Sequence, residues 1–352
     1  MSKHRTRSMV AHQAMHGECR ARGSRGYTMA HAPIHITGVL SVDHVQQGKV
    51  ELCCLGSSGL YVSVALARLG HAVQFCSRIG EDFDQALLGE LKADGIDWQL
   101  KAVAGPSAKL HLAYDSSGHI VRFQYEPGVG RGLEVEDLPD GFWAAPCVWL
   151  GAAEQGYHLE VARRASTGGR RVFLSPQGDY GSDWQGLSRL LPHLAGLFLN
   201  SREVQQVTGE PLPEAVLRLT EARPQLLCSI TLGERGTFLV WRGTLFRVVV
   251  QRQPVVNATG AGDTYAAALV HCLLAGDSPE ASLRFATTAA ALSLRGFAFR
   301  AIPSQAQVLA ELARRDSGSA VASAPLSSRE AMRWLDEEEH GPGQDTMGQL
   351  GC

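Results

Sequence analysis

Asn257-Ala258-Thr259-Gly260-Ala261-Gly262-Asp263 runs directly into an apolar stretch, Thr264 to Ala275, with no proline and no glycine before Gly276. Upstream, Leu245 to Val250 reads as a strand; downstream, the apolar stretch reads as a helix buried on nearly every face. A Gly-Ala-Gly turn at such a helix start lets backbone approach a ligand closely, and the first N–H groups point out of the positive helix end. That combination binds anions. Asp263 is the unexpected member, since a carboxylate should be repelled from a phosphate. It fits if it removes the proton from a hydroxyl that attacks phosphorus. The plainer reading is a tight strand-to-helix turn at Gly260 and Gly262, with Asp263 as a cap.

The chain has 352 residues, enough for one large core or two modest ones, and a formal charge of −2 that argues against a nucleic-acid partner. No apolar run is long enough to cross a membrane, because Gly276 and Arg295 interrupt the candidates. Eight cysteines lack paired metal-type spacing and read as reduced thiols of a cytoplasmic protein. Residues 1–32 carry many basic side chains and lack a secretory core, and read as a disordered basic extension, with an organelle transit peptide as the alternative. Residues 316–352 turn to Ser, Ala, Gly and acids and read as a disordered acidic tail, in which Arg329 to Glu339 could form a short amphipathic helix.

Between these ends strands and helices alternate, which predicts a parallel sheet with helices on both faces. Ile34 to Leu40 reads as a first strand, with Asp43 beyond its carboxyl end, where open α/β sheets meet ligands. Gly56-Ser57-Ser58-Gly59 leads into a helix closed by Gly70. Ala72 to Ile79 is a strand, and a helix follows to Lys92, stopped by Gly95. Lys109–Tyr114 and His119–Tyr125 flank a Ser-Gly turn and read as a hairpin. Asn200 and Glu203 sit where a strand becomes a helix; as Asn-x-x-Glu they suit hard-ion ligation or a capping pair. Thr231-Leu-Gly233-Glu-Arg-Gly236 follows another strand and reads either as a ligand loop or as a hairpin turn. No Walker A string occurs, and no Gly-x-Gly-x-x-Gly opens the first βα unit.

The Gly-Ala-Gly-Asp core and the order of these motifs resemble the PfkB (ribokinase-like) family of sugar and nucleoside kinases over Ile34–Arg315. The resemblance implies a ribokinase-like three-layer α/β fold, with a mostly parallel central sheet, helices on both faces and a small β lid. The kinase domain would span 33–315, and the lid about 44–55 and 107–126. It implies ATP and Mg²⁺ as cofactors and a small sugar, polyol or nucleoside as acceptor, and allows a homodimer through the lid. Asp263 would be the base, with the N–H groups of Gly260, Ala261 and Gly262 holding the transferred phosphoryl group. Thr231, Gly233, Gly236 and Thr259 would lie by the nucleotide; Asn200 and Glu203 would serve Mg²⁺, Glu203 through water. Asp43, Ser57 and Tyr61 would face the acceptor.

The chain departs from the family pattern at several of these places. Ser57 replaces a glycine, Tyr61 an asparagine, and Ser175 an aspartate that precedes Pro176. Asn257 and Ala258 replace the Asp-Thr that opens the signature. Many relatives are activated by K⁺, held partly by that aspartate, so Asn257 predicts weaker K⁺ dependence. Such changes leave two other classes: a sugar- or nucleotide-binding regulator that keeps the fold without turnover, and a non-kinase α/β enzyme such as an NAD-dependent one. The intact Asp263 speaks against the first, and the missing dinucleotide fingerprint against the second.

Overall fold

The computed structural model describes residues 31–48, 50–114, 120–176, 180–250, 253–314 and 320–340. The basic extension lies outside the described residues, apart from its last two positions, as does the Ser-Gly turn of the hairpin. In chain order, β1 (Ile34–Thr37) is followed by the antiparallel pair β2 (Ser41–Gln47) and β3 (Val50–Gly56), then α1 (Ser58–Arg68) and β4 (Val73–Ile79). Next come a 3₁₀ helix (Gln85–Asp94), β5 (Asp97–Ala102) and the hairpin β6 (Ala108–Tyr114) and β7 (Ile120–Glu126). The alternation continues with β8 (Cys147–Leu150), α2 (Gln155–Thr167), β9 (Arg171–Leu174), α3 (Trp184–Leu190), β10 (Gly196–Asn200), α4 (Ser201–Thr208) and α5 (Leu212–Ala222). Then follow β11 (Leu227–Thr231), β12 (Thr237–Trp241), β13 (Thr244–Val248), α6 (Ala261–Ala275), α7 (Pro279–Ser293), α8 (Gln305–Arg314), β14 (Val321–Pro325) and α9 (Arg329–His340).

Ten strands form one sheet in the order β14-β13-β12-β11-β10-β9-β8-β1-β4-β5. From β5 to β11 every pairing is parallel, and β12, β13 and β14 add antiparallel. Alternation along the strands serves two cores. In β8, Cys147 and Trp149 join the side packed by α1, α6 and α7, while Val148 and Leu150 join the side packed by α2, α4 and α5. A separate four-stranded sheet, β3-β2-β6-β7, stands off the main one. Asp82 anchors its root, accepting the Ser107 N–H at 2.6 Å and pairing with Lys109 at 2.8 Å.

Several sequence expectations need correction. The strand expected over Leu245–Val250 ends at Val248, and residues 249–260 separate it from α6, so the glycine turn is no tight strand-to-helix connection. The helix running to Lys92 is 3₁₀, although Gly95 does stop it in the left-handed region at φ 67°. Asp43 lies inside the lid strand β2, paired with Cys54 of β3, rather than in a loop after β1.

The largest correction concerns the tail expected to be disordered over 316–352. Within it, β14 pairs with β13 from Val248↔Val321 to Thr244↔Pro325, and α9 buries Ala331, Trp334 and Leu335. Among the described residues, no helix is long and apolar enough to cross a membrane. Cys53, Cys54, Cys76, Cys147, Cys228 and Cys272 are free thiols.

Candidate active site

The carboxyl ends of the parallel strands form one edge, where helices begin and where doubly wound sheets receive ligands. Asn200 ends β10 and Thr231 ends β11 as register partners, so the two expected nucleotide-side motifs start side by side. At the start of α6, Gly260 adopts φ 77°, a left-handed conformation that glycine reaches without a Cβ penalty. The turn is fixed from within. Asn257 Oδ1 accepts the Thr259 N–H at 3.0 Å, and Gly260 O accepts both the N–H and the hydroxyl of Thr264, at 2.9 and 2.8 Å. Tyr265, one residue on, ties α6 to the β11–β12 hairpin through 2.9 Å hydrogen bonds with Ser229 and Thr237.

Asp263 occupies the first turn of α6 and is 6% exposed. Of the three N–H groups expected to face an anion, that of Ala261 donates to Ala258 O at 3.2 Å and is turned inward. Gly262 has open space where a Cβ would stand, leaving its backbone approachable. The anion-receptive part of the turn is therefore narrower than the sequence suggested.

On the acceptor side, Asp43 is 2% exposed and accepts the Ser41 hydroxyl at 2.6 Å. Burial pushes its carboxyl up to about 7, against the lowering effect of the Ser41 bond. A Cβ at Gly56 would overlap this carboxylate, so glycine there makes its room. Ser57 caps α1, its hydroxyl accepting the Leu60 N–H at 3.3 Å, with a backbone of φ 111° and ψ 157°. Tyr61 is buried, and its ring lies against Gly260, where any Cβ would collide with it. A continuous line of contact thus runs from the lid through Asp43, Gly56 and α1 to the anion turn. Tyr61 belongs to that line as a packed core ring.

Asn200 and Glu203 form a reciprocal capping box, in which each side chain accepts the other's N–H at 2.8 Å. Burial raises the Glu203 carboxyl above its ordinary range, and the Asn200 N–H opposes that. Gly233 and Gly236 shape the β11–β12 connection, which is a hairpin, with Gly236 at φ 110° pressed against the Val248 carbonyl. Both readings of these two motifs are physically compatible, since a cap and a hairpin turn can each border a ligand. Sequence reasoning missed Ser41 and Tyr265, and quoted Gly56 in the string leading into α1 without showing that it makes room for Asp43. Their roles are partnerships across strands and helices that no local pattern encodes.

Residues 152–303 match the model of the pfkB family of carbohydrate kinases. A fructokinase of Klebsiella pneumoniae is 27% identical over 267 residues, covering 70% of this chain and 86% of that protein. A nucleoside kinase of Methanothermobacter thermautotrophicus is 25% identical, covering 67% and 76%. The structure of Arabidopsis thaliana ribokinase complexed with ribose and ATP superposes with a TM-score of 0.70 at 23% identity, covering 80% of this chain and 99% of that one. With the intact Gly260-Ala261-Gly262-Asp263 element at the start of α6 and the separate four-stranded sheet, these matches show a ribokinase-like fold in which residues 152–303 resemble the pfkB family of carbohydrate kinases.

Proposed function

We propose that this protein is an ATP-dependent kinase that transfers the γ-phosphoryl group to a hydroxyl of a small sugar, polyol or nucleoside. The observation that carries the reading is Asp263, a buried carboxylate in the first turn of a helix whose start otherwise favours anions. In this role Asp263 accepts the proton of the acceptor hydroxyl as the new O–P bond forms and the bond to the ADP oxygen breaks. The Gly262 backbone, with the positive end of α6, meets the charge on the transferring group. Asp43 orients the acceptor from the lid, and Ser57 and Tyr61 shape the wall between lid and turn. Thr231, Gly233, Gly236 and Thr259 border the nucleotide.

The residues present fit Mg²⁺ bound chiefly through phosphate and water. Among the described residues no cluster of three His, Cys, Asp or Glu could cage a metal. Glu203 keeps Oε1 beside the oxygen used in the cap, and with Asn200 it would hold the ion's water shell. When bound, the ion neutralises phosphate charge. Closure of the lid sheet would exclude water from the transfer. Val121, Phe123 and Tyr125 alternate along β7 and are exposed, which supports a homodimer through the lid. A cytoplasmic location fits the free thiols.

The test is acceptor-dependent ADP formation with a panel of sugars, polyols and nucleosides. One acceptor class should give ADP and phosphorylated product in equal amounts. ATP binding without transfer to any of them would contradict the reading.

A further inference from the structure

The match to the family model ends at residue 303, and β14 and α9 lie beyond it. These elements nevertheless reach the ligand edge. β14 runs antiparallel to β13 away from that edge, starting opposite Val248, and α9 then follows, bringing its carboxyl end to the β11–β12 hairpin. There Glu338 is 6% exposed and bridges two arginines. Its Oε2 pairs with Arg235 at 2.8 Å and its Oε1 with Arg247 at 3.0 Å, while its backbone carbonyl accepts a second bond from Arg235 at 2.8 Å. Arg235 stands between Gly233 and Gly236, in the loop placed beside the nucleotide. The neighbouring Glu339 accepts from Gln205 of α4 at 2.7 and 3.0 Å and from the Leu212 N–H that opens α5 at 3.0 Å. Glu337 adds a 2.9 Å pair with Arg247.

We propose that the β14–α9 segment positions the nucleotide side of the site, with Glu338 holding the Gly233–Gly236 loop through Arg235. Arg235 is the loop side chain that α9 grips. The loop's two glycines carry no side chain, and its internal backbone bonds are Leu232 N–H to Gly236 O at 2.9 Å, Arg235 N–H to Leu232 O at 3.3 Å and Gly236 N–H to Gly233 O at 3.2 Å. A buried carboxylate that satisfies two guanidinium groups in a fixed fork has the geometry to set one loop conformation. Removing it leaves Arg235 with the Glu338 carbonyl in place of the charged fork, a weaker hold that lets the glycine loop sample more conformations. Arg235, Glu338 and Glu339 are positioning residues; none is required to touch the nucleotide. Since docking of α9 and the loop conformation are linked, ATP should also steady α9.

The inference rests on the kinase reading, so ATP binding by the wild-type protein is measured first by calorimetry; no binding would overturn both. Glu338→Gln and Arg235→Gln are then compared with wild type for ATP affinity, acceptor KM and unfolding temperature. The expected result is ATP binding weakened about five- to tenfold, within the ordinary range of coupling between sites, with acceptor KM unchanged. The double variant should be no weaker than either single one, because both remove the same link. Amide exchange over residues 329–340 should slow when ATP is added to wild type, and not in Arg235→Gln. If Glu338→Gln does not fold, Arg235→Gln alone decides, since Arg235 is only partly buried. Unchanged ATP affinity in a folded variant would overturn the positioning role and leave the kinase reading standing. So would a loss shared equally by ATP and acceptor alongside a fall in unfolding temperature.

Discussion

Ser57 holds φ 111° and ψ 157°, a region that side chains other than glycine rarely occupy. The sequence already marked it as a departure from the family's glycine, but the strain follows only from the backbone. Ser57→Gly relieves that strain and gives up only the weak cap on Leu60, so it should stabilise the protein by about 1 kcal/mol. Urea unfolding checks this; a destabilised variant would mean the cap outweighs the strain. Two strands' pairing brings Asp43 next to Gly56, where burial holds its carboxyl at about 7. The ionised form is the one that accepts hydroxyl hydrogen bonds, so acceptor KM should fall as pH rises through about 7, and Asp43→Asn should flatten that profile. The stability sign is opposite. The folded state binds this proton more tightly than the unfolded one, so its contribution is full below the ordinary carboxylate range and is lost as pH rises through about 7. Asp43→Asn should therefore gain stability relative to wild type at pH 8 compared with pH 5, and equal differences at the two pH values would contradict the assignment.

At the scale of elements, α4 and the turn before α6 each have a structural role beside the ligand role proposed for them. Glutamine preserves a capping box as well as glutamate does, so Glu203→Gln should leave the unfolding temperature nearly unchanged. It should raise the Mg²⁺ concentration for half-maximal rate; equal loss of rate at every Mg²⁺ level would leave Glu203 as a cap only. In the turn, the neutral Asn257 is 5% exposed and already uses its Oδ1 to hold the Thr259 N–H. The charge that would attract K⁺ is missing, and activity in Na⁺ should stay within a few-fold of that in K⁺, roughly 1 kcal/mol or less at the barrier. A K⁺ titration at fixed ionic strength checks this, and steep, saturable, K⁺-specific activation would contradict it. These elements were legible from the sequence because a cap, a glycine turn and an apolar helix are local patterns. The inward turn of the Ala261 N–H was not, since it depends on how residues 258–261 close on themselves.

Across the whole molecule, the parallel sheet and its two helix layers could be read from the strand–helix alternation over 34–314. Of the C-terminal addition, the amphipathic helix at Arg329–Glu339 could be read, but neither β14 nor the docking of that helix. Val321-Ala322-Ser323-Ala324-Pro325 has no strand signal of its own, and it becomes a strand because the edge of β13 offers its backbone partners. Likewise α9 is an acid-rich segment whose Ala331, Trp334 and Leu335 stripe has meaning only once β14 delivers it to the face of α5. The whole arrangement brings the four-stranded sheet, the Gly260–Asp263 turn and the β11–β12 hairpin to the carboxyl edge of the parallel strands, and the proposal that this edge performs phosphoryl transfer converges on Asp263. The most direct measurement is a single-turnover assay of Asp263→Asn with the preferred acceptor, alongside its ATP affinity. The account predicts ATP binding close to wild type and transfer slowed by about a hundredfold to ten-thousandfold, the usual contribution of a positioned base. Transfer at a near wild-type rate would contradict it, leaving Asp263 as no more than a cap on α6.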